Sequence, residues 1–407
     1  MTRSVVVSDP GTRLGRARPP DAVRGTDRGP DRGTRPAGER LAYLDNVKTL
    51  LIAGIIAAHA IQGYSEFGSW TYQDIQEATL SPVVETVFVV ALVSLGALFL
   101  MALFFLISGL FTEDSLARKG SSRFVTDRLL RLGLPFALYT LVVWPLLEFA
   151  LLEPYLHRGF WRSVADTDPI LDNGPVWFVG VLLIYSLGLV AWRRLFPPTP
   201  ARGGVLGWRQ LVLLAVAVGV ATFLVRLVFP ADSNQPLNIK LWGWPEYLAL
   251  FGLGVVAARR GWLRPVPGAL ARRCGIATIV AIVCVAAAVL SAEPLGLSED
   301  AYFGGWRLTA LVAAMAEGVL AVCASIWVLA FAQRHLDRTS RLRRATARSS
   351  YMAFMLQGPV LVALALALRP TPLSGDLKAL LVATFGIVAS FALAWPLVTR
   401  TPLRRVM

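Results

Sequence analysis

From residue 41 onward the chain alternates between long apolar stretches and short polar connections. Most of the apolar stretches have about 18–25 residues, the length with which one α-helix crosses a hydrocarbon core about 30 Å thick. The pattern therefore predicts an all-α integral membrane protein in which residues 41–400 form one transmembrane domain. The ten predicted helices cover residues 43–63, 87–111, 132–152, 175–194, 209–229, 242–258, 273–291, 308–332, 349–368 and 377–399.

Residues 1–40 form a segment of different composition, with nine Arg, five Asp or Glu, five Pro and six Gly. A segment of this kind cannot bury enough apolar surface to offset its chain entropy, so we predict a disordered tail. It contains no apolar run of the length found in signal peptides. The tail is interpreted as solvated and cytoplasmic, with contact to anionic lipid or nucleic acid as the alternative. Residues 401–407 are predicted to form a short cytoplasmic C-terminus.

The distribution of charge predicts the orientation of the helices. The 407 residues are 55% hydrophobic and 16% charged, with a mean hydropathy of +0.58 and a formal net charge of +14. Of the 40 Lys and Arg residues, 33 fall in the N-terminal segment, the C-terminus and alternate connections, and seven fall elsewhere. The positive-inside rule then places both termini in the cytoplasm, and the basic charge needs no nucleic-acid partner. We expect a multi-pass protein of the cell's inner or plasma membrane.

Polar side chains in the middle of a bilayer are costly, so they are candidates for function. Lys48 and His59 are eleven residues apart in the first predicted helix, so they share a face and stand about 16 Å apart along the axis. Depth counted along the helices puts Glu317 and Gln357 near the level of His59. Because a carboxylate can orient an imidazole during proton transfer, His59 and Glu317 are the predicted catalytic pair, with Gln357 in support. The alternative is that all three only form hydrogen bonds between helices.

A second group of polar residues lies closer to the cytoplasmic face. Ser108 precedes Gly109 at the end of the second predicted helix, and Arg128 and Arg131 follow at i, i+3 near the start of the third. Together with Lys48, these cations are suited to binding phosphate. The alternatives are a close helix contact at Ser108 and Gly109, and ordinary topology-setting charge for each Arg.

The remaining side chains indicate neither a metal site nor a bound cofactor. Cys274, Cys284 and Cys323 fall in apolar spans without paired spacing and are interpreted as small buried hydrophobic residues. The three His have no metal-ligand spacing. The outer connections carry aromatic and acidic residues, interpreted as an interfacial belt rather than as a sugar-stacking site. They are Trp70, Tyr72, Tyr155, Trp161, Trp242, Trp244, Tyr302, Trp306, Glu66, Asp74, Asp166 and Asp168.

Four short patterns stand out along this part of the chain. The first two include Lys48, His59, Ser108, Arg128 and Arg131, which were described above. The four patterns are Leu44-Asp45-x-x-Lys48 followed by His59, Phe104-Phe105-x-x-Ser108-Gly109 followed by Arg128-x-x-Arg131 and Pro135, Asn173-Gly174-Pro175-Val176-Trp177-Phe178, and Ser349-Ser350-Tyr351 at the start of the ninth predicted helix. In these patterns, residues 41–399 resemble the acyltransferase-3 family of integral membrane proteins. Further residues are similar to its branch of glucan succinyltransferases, namely Phe178, Glu246-Tyr247, Phe251-Gly252 and Arg259-Arg260-Gly261-Trp262.

Three positions depart from the family pattern. The usual Arg of the first helix is Lys48, which keeps the charge but not the bidentate geometry towards phosphate. The Glu that commonly follows the fourth-helix Trp is missing, because residues 179–183 are all apolar or Gly. The ninth-helix His of many members is Gln357. Glu317 is therefore the predicted substitute carboxylate, on the argument of depth alone.

The resemblance implies transfer of an acyl group from a cytoplasmic acyl-CoA or similar thioester to a hydroxyl of an extracytoplasmic carbohydrate or lipid-linked acceptor. It implies that His59 acts as the general base or carries the acyl group itself. The thioester is then a co-substrate, and the expected partners are the donor, the acceptor and membrane lipid. The alternatives are a transporter or flippase without chemistry and a degenerate, non-catalytic member. Donor-binding residues are expected to be Lys48, Ser108, Arg128 and Arg131, and supporting residues Asp45, Trp177 and Gln357.

Overall fold

The computed structural model describes most of the chain from residue 42 to residue 401. The described residues are 42–68, 70–93, 99–157, 159, 171–196, 204–231, 233–263, 265–292, 294–298 and 300–401. The predicted N-terminal tail and all but the first residue of the predicted C-terminal segment lie outside them, as do Trp161, Asp166 and Asp168.

The described residues form helices and connections, without a strand. The principal helices are α1 (Ala42–Gln62), α2 (Pro82–Ala91), α3 (Met101–Lys119), α4 (Ser121–Tyr155), α5 (Trp177–Leu195), α6 (Trp208–Arg226), α7 (Trp244–Arg260), α8 (Gly268–Ala292), α9 (Leu308–His335), α10 (Arg341–Leu368) and α11 (Gly375–Arg400). The chain is therefore an all-α integral membrane protein, as predicted.

Within the described part of the chain, nine helices are long and apolar enough to cross a membrane, namely α1 and α4 to α11. They match nine of the ten predicted spans within a few residues at most ends. The remaining prediction, 87–111, falls on α2 and α3, and residues 94–98 between them lie outside the described residues. The α3 helix continues beyond the predicted end to Lys119. Its last turns carry the charged residues Glu113, Asp114, Arg118 and Lys119, which are compatible with a helix but lower the hydropathy on which the prediction was based.

Two observed helix boundaries differ from the predicted ones. The α10 helix begins at Arg341, where the Ser340 hydroxyl caps it by accepting a bond from the Arg343 amide. Ser349-Ser350-Tyr351 therefore lies two turns inside this helix and does not open it. Arg128 and Arg131, predicted for the connection before the third helix, lie within α4 because basic residues are good helix formers.

Proline shapes the α4 helix. Three π-type turns, Leu129–Gly133, Tyr139–Val143 and Glu148–Leu152, each end two residues before a proline. Proline lacks the N–H that would bond to the carbonyl four residues earlier, and a wider turn accommodates its ring. The carbonyl freed by Pro135 is that of Arg131, and it accepts a bond from the Tyr351 hydroxyl of α10 at 3.2 Å. The same irregular helix carries Tyr139 and Trp144 into the core.

The α1 helix packs against α10 and α11. The Thr49 and Ser350 hydroxyls lie 3.1 Å apart, and further along both helices His59 contacts Gln357. Because residue numbers rise together along this contact, α1 and α10 run parallel. The ladder of polar contacts between them therefore leads from one end of the membrane domain to its interior.

Candidate functional site

The imidazole of His59 is held by the side chain of Gln357. The His59 Nδ1 and the Gln357 Oε1 are 3.1 Å apart. Because the amide oxygen can only accept, Nδ1 carries the proton of this bond, and in a neutral imidazole the lone pair is then on Nε2. Gln357 is fully buried, whereas His59 is half-buried. When His59 is neutral in this arrangement, Nε2 is its basic nitrogen.

Trp70 covers one face of the His59 ring. The two rings are stacked, with centroids 4.6 Å apart and an interplanar angle of 11°. Trp70 belongs to the connection between α1 and α2, in which the Ser65 hydroxyl donates to Glu85 and the Gln73 amide to the Ser65 carbonyl. Hydrogen bonds within this connection thus hold the Trp70 ring in place, and the Trp70 ring in turn restrains the His59 imidazole.

The interfacial-belt interpretation is wrong for two of the outer aromatic residues. Trp70 and Tyr72 are buried, because the connection that carries them folds inward over His59, whereas Trp306 and Tyr155 are exposed as expected. The Tyr72 hydroxyl donates to the Ala365 carbonyl of α10. Burial raises the pKa of the Tyr64 and Tyr72 hydroxyls above the ordinary value for tyrosine, so both remain neutral.

A second set of side chains, the outer cluster of Tyr139, Trp144 and Asp172, adjoins Trp70. The Trp144 ring lies edge-on to Trp70, with centroids 6.1 Å apart, and stacks on Tyr139. Its indole Nε1 donates to Asp172 at 3.2 Å. The other Asp172 oxygen accepts bonds from the Asn173 and Gly174 amides and from the Asn238 side chain. Asp172 therefore ties α4 to two outer connections.

Glu317 does not pair with His59, contrary to the prediction. Both of its carboxylate oxygens are bound by the guanidinium of Arg226, at 2.8 Å and 2.7 Å, and both residues are buried. Depth along a helix does not define the direction in which a side chain points, and this part of α9 faces α6. Glu317 therefore belongs to a buried ion pair outside the His59 contacts.

The buried ion pair has a third ionisable neighbour. Glu246 of α7 lies fully buried within interaction range of Glu317 and Arg226. Neither of its carboxyl oxygens has a hydrogen-bond partner among the described residues. Trp242 lies under the Arg226 guanidinium. Glu246, which belongs to the Glu246-Tyr247 pattern noted in the sequence, thus lies beside the buried ion pair of Arg226 and Glu317.

Near the other end of α1, polar and basic side chains form an inner cluster of Lys48, Ser108, Phe111, Thr112 and Arg128. The Lys48 ammonium lies 4.0 Å from the centre of the Phe111 ring, and Arg128 donates to the Thr112 hydroxyl at 3.3 Å. Ser108, Phe111 and Thr112 share one face of α3 at i, i+3 and i+4. The structure therefore places Lys48 and Arg128 against neighbouring residues of α3, one turn after Ser108.

The other predicted residues of this region have distinct places. Arg131 is exposed and pairs with Asp127 at 2.9 Å, so its partner differs from that of Arg128. Asp45 pairs with Lys48 at 3.4 Å. Trp177 lies against Phe178 and Tyr247, with ring centroids 6.4 Å and 5.6 Å away. It belongs to an aromatic layer rather than to the His59 contacts.

Gly109 makes the close helix contact considered for the Ser108-Gly109 pair. A Cβ on Gly109 would overlap the carbonyl oxygen of Phe251, and one on Gly254 would overlap that of Leu106. The two glycines let α3 and α7 approach closely. Four residues further along α3, Glu113 pairs with Arg193 and Arg259. This packing fixes the helix that presents Ser108.

The comparison with known protein families decides the family. Residues 41–399 match the family model Acyl_transf_3, described as an acyltransferase domain. The chain belongs to the acyltransferase-3 family. It is therefore an acyltransferase and a multi-pass membrane protein. No curated protein and no solved structure matches this chain.

Several residues around His59 of this acyltransferase were not anticipated. Trp70 was assigned to the aromatic belt, and Tyr139, Trp144 and Asp172 were not singled out. Asp172 is the one of these residues that the sequence indicates, because it stands directly before the Asn173-Gly174-Pro175 turn. Its carboxylate accepts hydrogen bonds from the Asn173 and Gly174 amides, as Asp commonly does at turns. Among the cysteines, Cys274 and Cys323 are buried as expected, but Cys284 is exposed on an outer face of α8.

Proposed function

We propose that this acyltransferase moves an acyl group from a cytoplasmic acyl-CoA or similar thioester to a hydroxyl of an extracytoplasmic carbohydrate or lipid-linked acceptor. The observation that carries the proposal is the hydrogen bond between His59 and Gln357, which leaves His59 Nε2 as a free base. Gln357 occupies the position at which many family members have a histidine. Its contact with His59 supports a working site despite that departure.

The chemistry needs a base beside the acceptor hydroxyl. The His59 Nε2 takes the hydroxyl proton as the acceptor oxygen attacks the thioester carbonyl. The tetrahedral intermediate then collapses, the C–S bond breaks, and the imidazolium returns the proton to the departing thiolate. In the alternative order, Nε2 attacks the carbonyl first, the C–S bond breaks and the thiolate leaves. The acceptor oxygen then attacks the acyl-imidazolium, the C–N bond breaks to restore the neutral imidazole, and the hydroxyl proton goes to the thiolate.

The inner cluster supplies the donor end of this arrangement. Lys48 and Arg128 lie about three turns from His59 along the membrane axis and offer positive charge to the phosphates of an acyl-CoA. Ser108 lies one turn before Phe111 and Thr112 on α3, and the exposed Arg131 adds positive charge one turn after Arg128. With both termini in the cytoplasm, as the positive-inside rule indicates, the donor enters from the cytoplasm and the acceptor from outside.

The direct test compares two histidine variants in lipid nanodiscs. Release of CoA from acetyl-CoA and succinyl-CoA is measured with a glucose oligosaccharide as the probe acceptor, and the product is identified by mass spectrometry. His59→Ala should abolish acyl transfer, whereas His335→Ala, at an exposed site near the end of α9, should leave it unchanged. A folded His59→Ala protein that acylates at the wild-type rate would overturn the assignment.

Succinyl-CoA and a glucan are the first substrates to try, because of the resemblance to glucan succinyltransferases. Binding of the donor is measured separately by thermal stabilisation with CoA. Stabilisation at CoA concentrations where free phosphate has no effect supports the donor site. Equal stabilisation by phosphate and CoA would contradict it.

A further inference from the structure

Two buried hydrogen-bond donors in the part of the core around Gln357 and Gly358 have no partner among the described residues. The first is the Nε2 of Gln357, whose other amide atom holds His59 Nδ1. The second is the hydroxyl of Tyr139, in the outer cluster. An unpaired buried donor is costly, because it loses its hydrogen bonds to water and gains none in the protein. Two of them in one place indicate groups kept free for a ligand atom.

A closed ring of contacts relates the two donors to His59. His59 stacks on Trp70, Trp70 meets Trp144, and Trp144 stacks on Tyr139. A Cβ on Gly358 would lie 2.6 Å from the Tyr139 hydroxyl, so only glycine lets that hydroxyl reach α10 next to Gln357. The ring of contacts closes with the hydrogen bond between His59 Nδ1 and Gln357 Oε1.

We propose that the Gln357 Nε2 and the Tyr139 hydroxyl bind the oxyanion of the tetrahedral intermediate. This inference rests on the proposed function. As the acceptor oxygen attacks, the thioester carbonyl oxygen gains negative charge, and the two donors form hydrogen bonds to it. When the C–S bond breaks, the charge returns to the carbonyl and the donors are released. Gln357 thus has two roles, since its oxygen positions His59 and its nitrogen contacts the reacting atoms.

Preorganised donors of this kind matter because they are already oriented when charge develops. Removing one donor from an oxyanion hole typically lowers kcat by about 10²–10³-fold. The effect falls on kcat and leaves KM for the donor nearly unchanged, because the ground-state carbonyl carries little charge. A role in packing alone would instead lower stability.

The test uses variants that separate positioning from oxyanion binding. Gln357→Glu keeps an acceptor for His59 Nδ1 but removes the N–H donor, and Tyr139→Phe removes only the hydroxyl. The matched control is Tyr185→Phe, because that buried hydroxyl donates to the Trp244 carbonyl in another part of the core. Rates are measured with acetyl-CoA, succinyl-CoA and the glucose oligosaccharide, together with the melting temperature of each variant.

We expect kcat to fall about 100-fold or more in Gln357→Glu and in Tyr139→Phe, with KM for acyl-CoA within about twofold and Tyr185→Phe unaffected. His59 in Tyr139→Phe should still react with diethyl pyrocarbonate at the wild-type rate. Wild-type kcat in folded Gln357→Glu and Tyr139→Phe, with His59→Ala inactive, would overturn this inference alone. An active His59→Ala protein would instead overturn the proposed function.

Discussion

His59 has its Nδ1 side occupied by Gln357 and one ring face covered by Trp70. A histidine restrained in this way has few alternative rotamers, so little entropy is lost when a substrate hydroxyl binds to Nε2. Trp70 is in turn placed by Trp144, which is anchored by Asp172. The orientation of the His59 imidazole thus depends on Trp70 and Trp144 and, through them, on the Asp172 carboxylate.

Replacement of Asp172 by Ala should therefore lower both stability and activity. The carboxylate accepts bonds from Trp144, two backbone amides and Asn238, and hydrogen bonds to a charged group contribute about 1.5–3 kcal/mol each. We expect a lower melting temperature together with a reduced kcat. The control is Glu66→Ala, an exposed outer residue, which should change neither. A wild-type melting temperature for Asp172→Ala would contradict the anchoring role.

The α3 and α7 helices meet through glycines, and this contact fixes the helix that carries Ser108 and Glu113. Because a Cβ on Gly109 or Gly254 would overlap a carbonyl oxygen of the partner helix, alanine at either position must push the helices apart. Overpacking of this kind costs about 1–3 kcal/mol. The helix contact is thus encoded by two small residues rather than by large apolar ones.

Gly254→Ala should lower the melting temperature in detergent, and Gly109→Ala should do the same. The matched control is Gly252→Ala, two residues away on the same helix, because a Cβ there meets no atom within 4 Å. That variant should be neutral or slightly stabilising, since alanine favours helix over glycine. Equal melting temperatures for Gly252→Ala and Gly254→Ala would show that the helices do not touch at Gly254.

The contact between α6 and α9 has an electrostatic component. Arg226→Met would leave the buried carboxylate of Glu317 without its guanidinium, and breaking a buried pair costs about 3–5 kcal/mol. The double variant Arg226→Met, Glu317→Leu should recover much of that loss. Glu77→Gln, which removes the exposed partner of Arg369, is the control and should cost at most about 1 kcal/mol. A double variant less stable than Arg226→Met would refute this account.

The whole molecule is expected to place both termini in the cytoplasm. In a background with Cys274, Cys284 and Cys323 replaced by Ser, two exposed positions report the two sides. Thr339→Cys, between α9 and α10, should react with an impermeant maleimide only after the cells are permeabilised. Leu295→Cys, in the connection after α8, should react in intact cells. The reverse pattern would invert the topology and the proposed sides of donor and acceptor.

Hydropathy along the chain suffices to predict most of the helices, because membrane-length apolar runs are a property of each segment taken alone. It also identifies His59 and Lys48, whose spacing on one helix follows from the rise per residue. Position near the cytoplasmic face identifies Ser108, Arg128 and Arg131, and the family patterns include the same residues. Two of these predicted donor-binding residues, Lys48 and Arg128, contact neighbouring residues of α3.

The partner of His59 depends on how the helices are rotated and which of them are neighbours, and hydropathy does not encode either property. Glu317 and Gln357 were both placed near the depth of His59, yet only Gln357 lies on a helix face that contacts α1. Glu317 instead pairs with Arg226. Trp70 and Asp172 belong to connections, where no periodicity indicates which way a side chain points. Their roles are established by tertiary packing alone, because it brings residues distant in sequence around one imidazole.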